Sequence, residues 1–191
     1  MSRNFLAFAA TLLLAASAAA QESWKIDPAH SSAQFSVRHL GISTVRGAFT
    51  KVSGSAQFDE ANPGKSSVQA TIDAVSVDTR VVMRDKDLRS PSFLDVEKYP
   101  TITFQSKKVE AAGQGKLKVT GDLTIHGVSK EVVLDVDGPS AAMKDPWGNI
   151  RRGASATTKI SRKDFGVNGA PTAVGDDITI TLDVEMIQPA K

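Results

Sequence analysis

Residues 121–136, GDLTIHGVSKEVVLDV, decide how the chain folds. Leu123 and Ile125 alternate with Asp122 and Thr124, the pattern breaks at His126-Gly127, and Val132, Leu134 and Val136 alternate again. Alternation with period two puts successive side chains on opposite faces of a strand. Two such runs around a glycine predict a β-hairpin. His126, one of 3 histidines in the chain, has the parity of Asp122 and Thr124 and directly precedes the glycine. It therefore reads as a turn residue on the polar side of a rim; a rim contact or a metal ligand is the alternative.

The same period recurs on both sides of this hairpin. Upstream, Ala33, Phe35 and Val37 share a face with His39. Val52, Gly54, Ala56 and Phe58 form a second apolar row, Val68, Ala70 and Ile72 a third, and Ile102 and Phe104 a fourth. Leu117 and Val119 extend the first arm of the hairpin. Downstream, ASATTKI (154–160) is a weaker strand with small residues on both faces. Ile178, Ile180, Leu182, Val184 and Met186 then form a long row. Turn signals separate these runs at Asn62-Pro63-Gly64, Gly113-Gln114-Gly115 and Asp145–Asn149. Seven or eight short strands of this kind predict an all-β antiparallel sandwich or barrel.

One interruption stands out. From Arg80 to Tyr99 the alternation stops, and the segment predicts two short helical pieces. Ser90 is a candidate N-cap with Pro91 as first helical position, and Pro100 ends the segment. Phe93, Leu94 and Val96 supply an apolar patch within it.

The first twenty residues have another character. Arg3 precedes an apolar run from Phe5 to Leu14, and Ala18-Ala19-Ala20 offers a cleavage site before Gln21. This is the pattern of a secretory signal peptide, too short for a membrane anchor. The remainder is the length of one domain, 21–191, which buries roughly 70% of its unfolded surface. With 0 cysteines, disulfides, thiolate chemistry and Cys-ligated metals are excluded. The 23 basic and 21 acidic residues are interspersed, which gives no footprint for nucleic acid.

The apolar rows are rich in small residues: Ala33, Gly54, Ala56, Ala70, Gly121, Ala154 and Ala156. In an eight-stranded barrel, small inward residues leave room for one slender ligand. They also permit tight strand coiling, so the sequence leaves a filled and a hollow barrel open. A cavity would be apolar, with His39 the main inward polar group.

Taken in order, WKIDPAHSSAQFSVRHLGIS (24–43), SVDTRVVMRDKDLRSPSFLDVEKYPTITFQS (76–106), GDLTIHGVSKEVVLDV (121–136), DPWGNIRRG (145–153) and KISRKDFGV (159–167) resemble the YceI-like family. The resemblance implies an eight-stranded antiparallel lipocalin-like barrel with a short helical insertion around 80–99. It also implies an exported, periplasmic or secreted carrier of a polyisoprenoid or similar long-chain amphiphile, with roles around stress and isoprenoid-quinone metabolism or transport. Two positions depart from the family pattern. Asp87 stands where Arg-Asp-x-His-Leu has histidine, and Glu131 stands where Gly-Val-Thr-Lys-Pro has proline.

On this reading Phe35, Val37, Phe58, Ile72, Phe93, Leu94, Phe104, Leu123, Ile125, Leu134 and Val136 line an apolar tunnel. His39 and Arg84 are candidate head-group contacts at a polar mouth. For His39 the alternative is a histidine satisfied by a neighbouring carbonyl; for Arg84 it is a clamp, with Asp85, that fixes the insertion. His30 reads as ordering the Asp27-Pro28-Ala29 turn. No compact zinc motif joins the histidines, so no metal is expected. No cofactor is expected beyond a bound lipid. Catalytic signatures such as G-x-S-x-G and H-E-x-x-H are missing from the sequence, which favours a binder over an enzyme. A tilted strand of about ten residues spans roughly 25 Å of barrel height. A longer lipid must bend, protrude or enter a second protomer, which is a reason to expect a homodimer. The alternatives are an enzyme acting on a prenyl or acyl lipid, a filled structural or stress-response barrel, and an interaction module pairing through a strand edge.

Overall fold

The computed structural model describes residues 22–188. The expected signal peptide and its cleavage point at Ala20-Gln21 lie outside the described residues. Among the described residues no helix is long and apolar enough to cross a membrane.

The strands are β1 (Glu22–Ile26), β2 (Ser32–His39), β3 (Ser43–Phe49), β4 (Val52–Phe58), β5 (Ser67–Asp73) and β6 (Val77–Asp78), then the helix α1 (Val82–Arg89). After the helix come β7 (Thr101–Ala111), β8 (Lys116–Ile125), β9 (Val128–Asp137), β10 (Met143–Lys144), β11 (Ile150–Ser161) and β12 (Val174–Gln188). All pairings are antiparallel. The ring runs β11-β9-β8-β7-β5-β4-β1-β12 and closes through β12 and β11, an eight-stranded barrel.

Three neighbouring wall positions are strands broken in two. β1 and β2 both pair with the same edge of β12 and are separated by the turn at 27–31. β3 and β4 are separated only by Thr50-Lys51, and β5 and β6 by a 3-10 turn at Ala74–Ser76. Local hydrogen bonds hold two of these breaks. Asp27 accepts from the Ala29 amide at 3.0 Å, and Asp73 accepts from the Val75 amide at 2.9 Å. Side chains that bond nearby amides compete with the ladder and bend the strand there.

The hairpin of β8 and β9 is the one the sequence signals. Ile125 faces Val128 across a two-residue turn in which His126 (φ 52°) and Gly127 (φ 74°) are both left-handed. That turn matches the twist of the arms. A Cβ on Gly127 would lie 2.4 Å from the Tyr99 ring, so the position takes glycine on two counts.

β1 and β3 are strands beyond those expected from the alternation. In β3 the row Val45, Gly47, Phe49 is disguised by its glycine. A Cβ on Gly47 would lie 2.5 Å from the Phe35 ring, so this glycine seats an aromatic across the ladder. The insertion contains one helix rather than two. Ser90 closes α1: its amide and hydroxyl donate to the Asp87 carbonyl at 3.0 and 2.6 Å. Residues 91–99 follow as turns.

At the α1 end, β9 and β11 part, because β11 pairs with β9 only over Ser155–Thr157. A 3-10 turn at Arg162–Phe165 fills this gap, and Phe165 and Val167 join the main core there.

Candidate functional site

The inward rows enclose a cavity of about 310 Å³. That is the lower end of the range for ligand pockets, about 300–1,000 Å³. All of the residues that the sequence assigns to a tunnel lie on its wall: Phe35, Val37, Phe58, Ile72, Phe93, Leu94, Phe104, Leu123, Ile125, Leu134 and Val136. They come from β2, β4, β5, β7, β8 and β9, and from the turns after α1. The long row of β12, Ile178 to Met186, completes the wall.

The small residues divide into two kinds. Ala33, Ala56, Ala70, Ala154 and Ala156 line the cavity, and their short side chains leave it open. Gly121 and Gly54 instead admit close neighbours: a Cβ would lie 2.5 Å from the Phe104 ring in one case and 2.3 Å from the Gln69 carbonyl in the other. The barrel is hollow because of its alanines, whereas these glycines let strands and rings close up around it.

The two candidate mouth residues are not on the cavity wall. Arg84 donates to the Thr79 hydroxyl at 2.8 Å and the Thr79 carbonyl at 2.9 Å. Asp85, buried, accepts from the Thr79 amide at 2.8 Å and from its hydroxyl at 2.6 Å. The pair thus holds the start of the insertion. His39 is half-buried at the end of β2 and faces Val174, itself a wall residue. Asp87, at the family's histidine position, is exposed on α1. His126 stacks edge-on against Tyr99 with ring centres 4.7 Å apart, which pins the hairpin to the end of the insertion.

His30 bonds Asp27 at 2.9 Å and orders its turn. Asp27, His30 and Glu185 bring ligand-type atoms within 4.8 Å of one another. Arg151 already occupies this group, donating to Asp27 at 2.6 Å and also to Glu185. Arg151 reaches Asp145 as well, at 2.7 Å. The Arg151 guanidinium and the His30 ring hold the Asp27 carboxyl down at about 2. At Asp145 burial pushes upward, but Arg151, Asn149 and the Trp147 amide outweigh it and the group also falls to about 2. These carboxylates press the Arg151 guanidinium further toward its charged form. This cluster sits outside the wall and ties β1, β11, β12 and the 145–149 turn together.

The ends of the cavity are built from residues the sequence reading did not single out. Toward α1, Leu88, Phe165 and Val167 join Phe93 and Leu94. Arg162 lies there too, buried, and donates to the carbonyls of Val167, Gly169, Val174 and Gly175 at 2.7–3.0 Å. At the opposite end the inward rows continue past the wall to Trp24 on β1 and Arg152 on β11, both buried. Arg152 is a cation on the same parity as Ala154 and Ala156, and that parity was the signal for it in the sequence.

Comparison with known proteins agrees with this architecture. The model of the YceI-like domain matches residues 24–186. A Vibrio cholerae protein described as a UPF0312 protein is 42% identical over 162 residues, 84% of this chain and 83% of that one. The crystal structure of Burkholderia cenocepacia BcnA superposes with a TM-score of 0.74 at 27% identity, covering 84% of this chain and 98% of that chain. A Saccharophagus degradans domain described as polyisoprenoid binding shares the fold, with a TM-score of 0.63 at 17% identity, covering 87% and 98% of the two chains.

Proposed function

The chain belongs to the YceI-like family, and on that premise we propose that it binds and carries a long-chain amphiphile in the barrel cavity. The cargo is a polyisoprenoid, an isoprenoid quinone or a fatty-acid-like lipid. The observation that carries this reading is the cavity wall, which is apolar from Phe93 and Leu94 at one end to Phe58 at the other. The description of the Saccharophagus degradans domain supports the same ligand class.

The mechanism is partition. An apolar chain leaves water or membrane for a dry cavity, and each buried methylene contributes about 0.8 kcal/mol before ordering costs. Such binding discriminates by length and head group more than by chain detail. A cargo longer than the barrel protrudes or reaches a second protomer. The leader-like first twenty residues and the absence of cysteine support action in the periplasm or beyond it. The proposal assigns the protein binding and no chemistry of its own.

The test is native mass spectrometry of protein purified gently from its own host, followed by organic extraction. A discrete adduct that extracts as a prenyl, quinone or acyl lipid is the expected result. A bare polypeptide mass, unshifted by added long-chain amphiphiles, would overturn the reading.

A further inference from the structure

Trp24 is 1% exposed and Arg152 7% exposed. Trp24 Nε1 and Arg152 Nε are the buried side-chain polar atoms among the described residues with no hydrogen-bond partner. Buried donors are almost always paired, so two orphans in one place call for a partner. They are indeed in one place. The Arg152 guanidinium carbon lies 5.4 Å from the Trp24 ring centre and 5.4 Å from that of Phe58, which is on the cavity wall. The neighbours of both residues along and across the ladder, Ile26, Ala56, Ala154 and Met186, line the cavity as well. Trp24, Phe58 and Arg152 therefore form the layer that ends the cavity opposite α1.

From this geometry we infer that Trp24 and Arg152 form the head-group subsite of the carried lipid, donating to a carbonyl oxygen. A carbonyl has two lone pairs and can accept from both donors. The charge balance selects a neutral acceptor over a phosphate or carboxylate. Arg152 already meets Glu60 at 3.1 Å and Glu22 at 3.8 Å, and its other polar partner is the Ser140 carbonyl at 3.2 Å. An added anion would face those two carboxylates. The cargo then lies with its carbonyl end between Trp24 and Arg152 and its tail toward Phe93 and Leu94. This orientation is opposite to a head group held near His39 and Arg84. The inference rests on the lipid-carrier reading and specifies its ligand: a long chain ending in a ketone, quinone, ester or amide carbonyl.

A matched pair of probes tests it: heptadecan-2-one and n-heptadecane, each displacing 1-aminoanthracene from delipidated protein. The ketone is expected to bind about tenfold more tightly than the alkane, the value of one to two buried hydrogen bonds. Trp24→Phe and Arg152→Met should each shrink that ratio toward one. The unmodified protein supplies a second readout that needs no variant to fold. The indole N–H signal of Trp24 should move downfield with the ketone and not with the alkane, while that of Trp147, 78% exposed, stays in place. Equal affinities for the two probes and an indole signal blind to the carbonyl would overturn the subsite and leave the carrier reading standing. Failure of both probes to displace the fluorophore would overturn the two together.

Discussion

Arg162 and Arg152 are both more than nine-tenths buried, one at each end of the barrel, and they are treated in opposite ways. Arg162 donates to four backbone carbonyls of the 167–175 segment, and so ties the stretch after the 3-10 turn to the start of β12. Arg152 has one carbonyl, an exposed glutamate, two aromatic faces and an unused Nε. At the α1 end the polar groups are consumed in holding the fold. At the other end donors remain for something else. A buried arginine can thus be fully spent on the fold or keep a hydrogen unused, which parity and burial alone do not reveal.

The largest effect should come from breaking the first half of this comparison. Arg162→Met strands the buried Val167 carbonyl and three half-buried ones, and is expected to cost about 3–5 kcal/mol of stability in urea unfolding. Arg152→Met removes fewer protein contacts and should cost clearly less. Equal losses would mean that the two ends do the same structural job.

A smaller effect concerns the outer cluster beside Arg152. Asp27 and Asp145 titrate near 2 in the folded protein, against 3.8 ordinarily. A carboxyl depressed on folding stabilises fully above its unfolded value, and that stability is lost as the pH falls through the folded one. The protein should therefore lose stability progressively as the pH falls from about 5 to roughly 2. Arg151→Met is expected to flatten this acid limb, read as midpoint against pH. An unchanged limb would detach the two carboxylates from acid stability.

Much of this was legible beforehand. The rows of β2, β4, β5, β7, β8, β9 and β12 follow from period two, because each has one wet and one dry face. Phe35, Phe104 and Leu134 could be placed on the wall by parity alone. What escaped was set by distant partners. Gly47 hides the alternation of β3 because it makes room for Phe35 on another strand. Ser90 bonds backward to Asp87 instead of opening a helix. Arg84 is occupied by Thr79 a few residues away, and nothing in its residue type separates that from facing a ligand. Whether the barrel was filled could not be read either, since alanine and glycine look alike in composition. The alanines opened the cavity, and Gly54 and Gly121 did not.

The central claim is that an apolar chain occupies the cavity along its length, and a chain-length series tests it most directly. The affinities of linear methyl ketones from nine to twenty-one carbons would be measured by displacement of one fluorophore. The account predicts that binding strengthens by up to about 0.8 kcal/mol per methylene until the chain fills the barrel, and then levels off. An affinity independent of length from the shortest ketone onward would contradict it, because the ligand would then be held at a surface and not in the barrel.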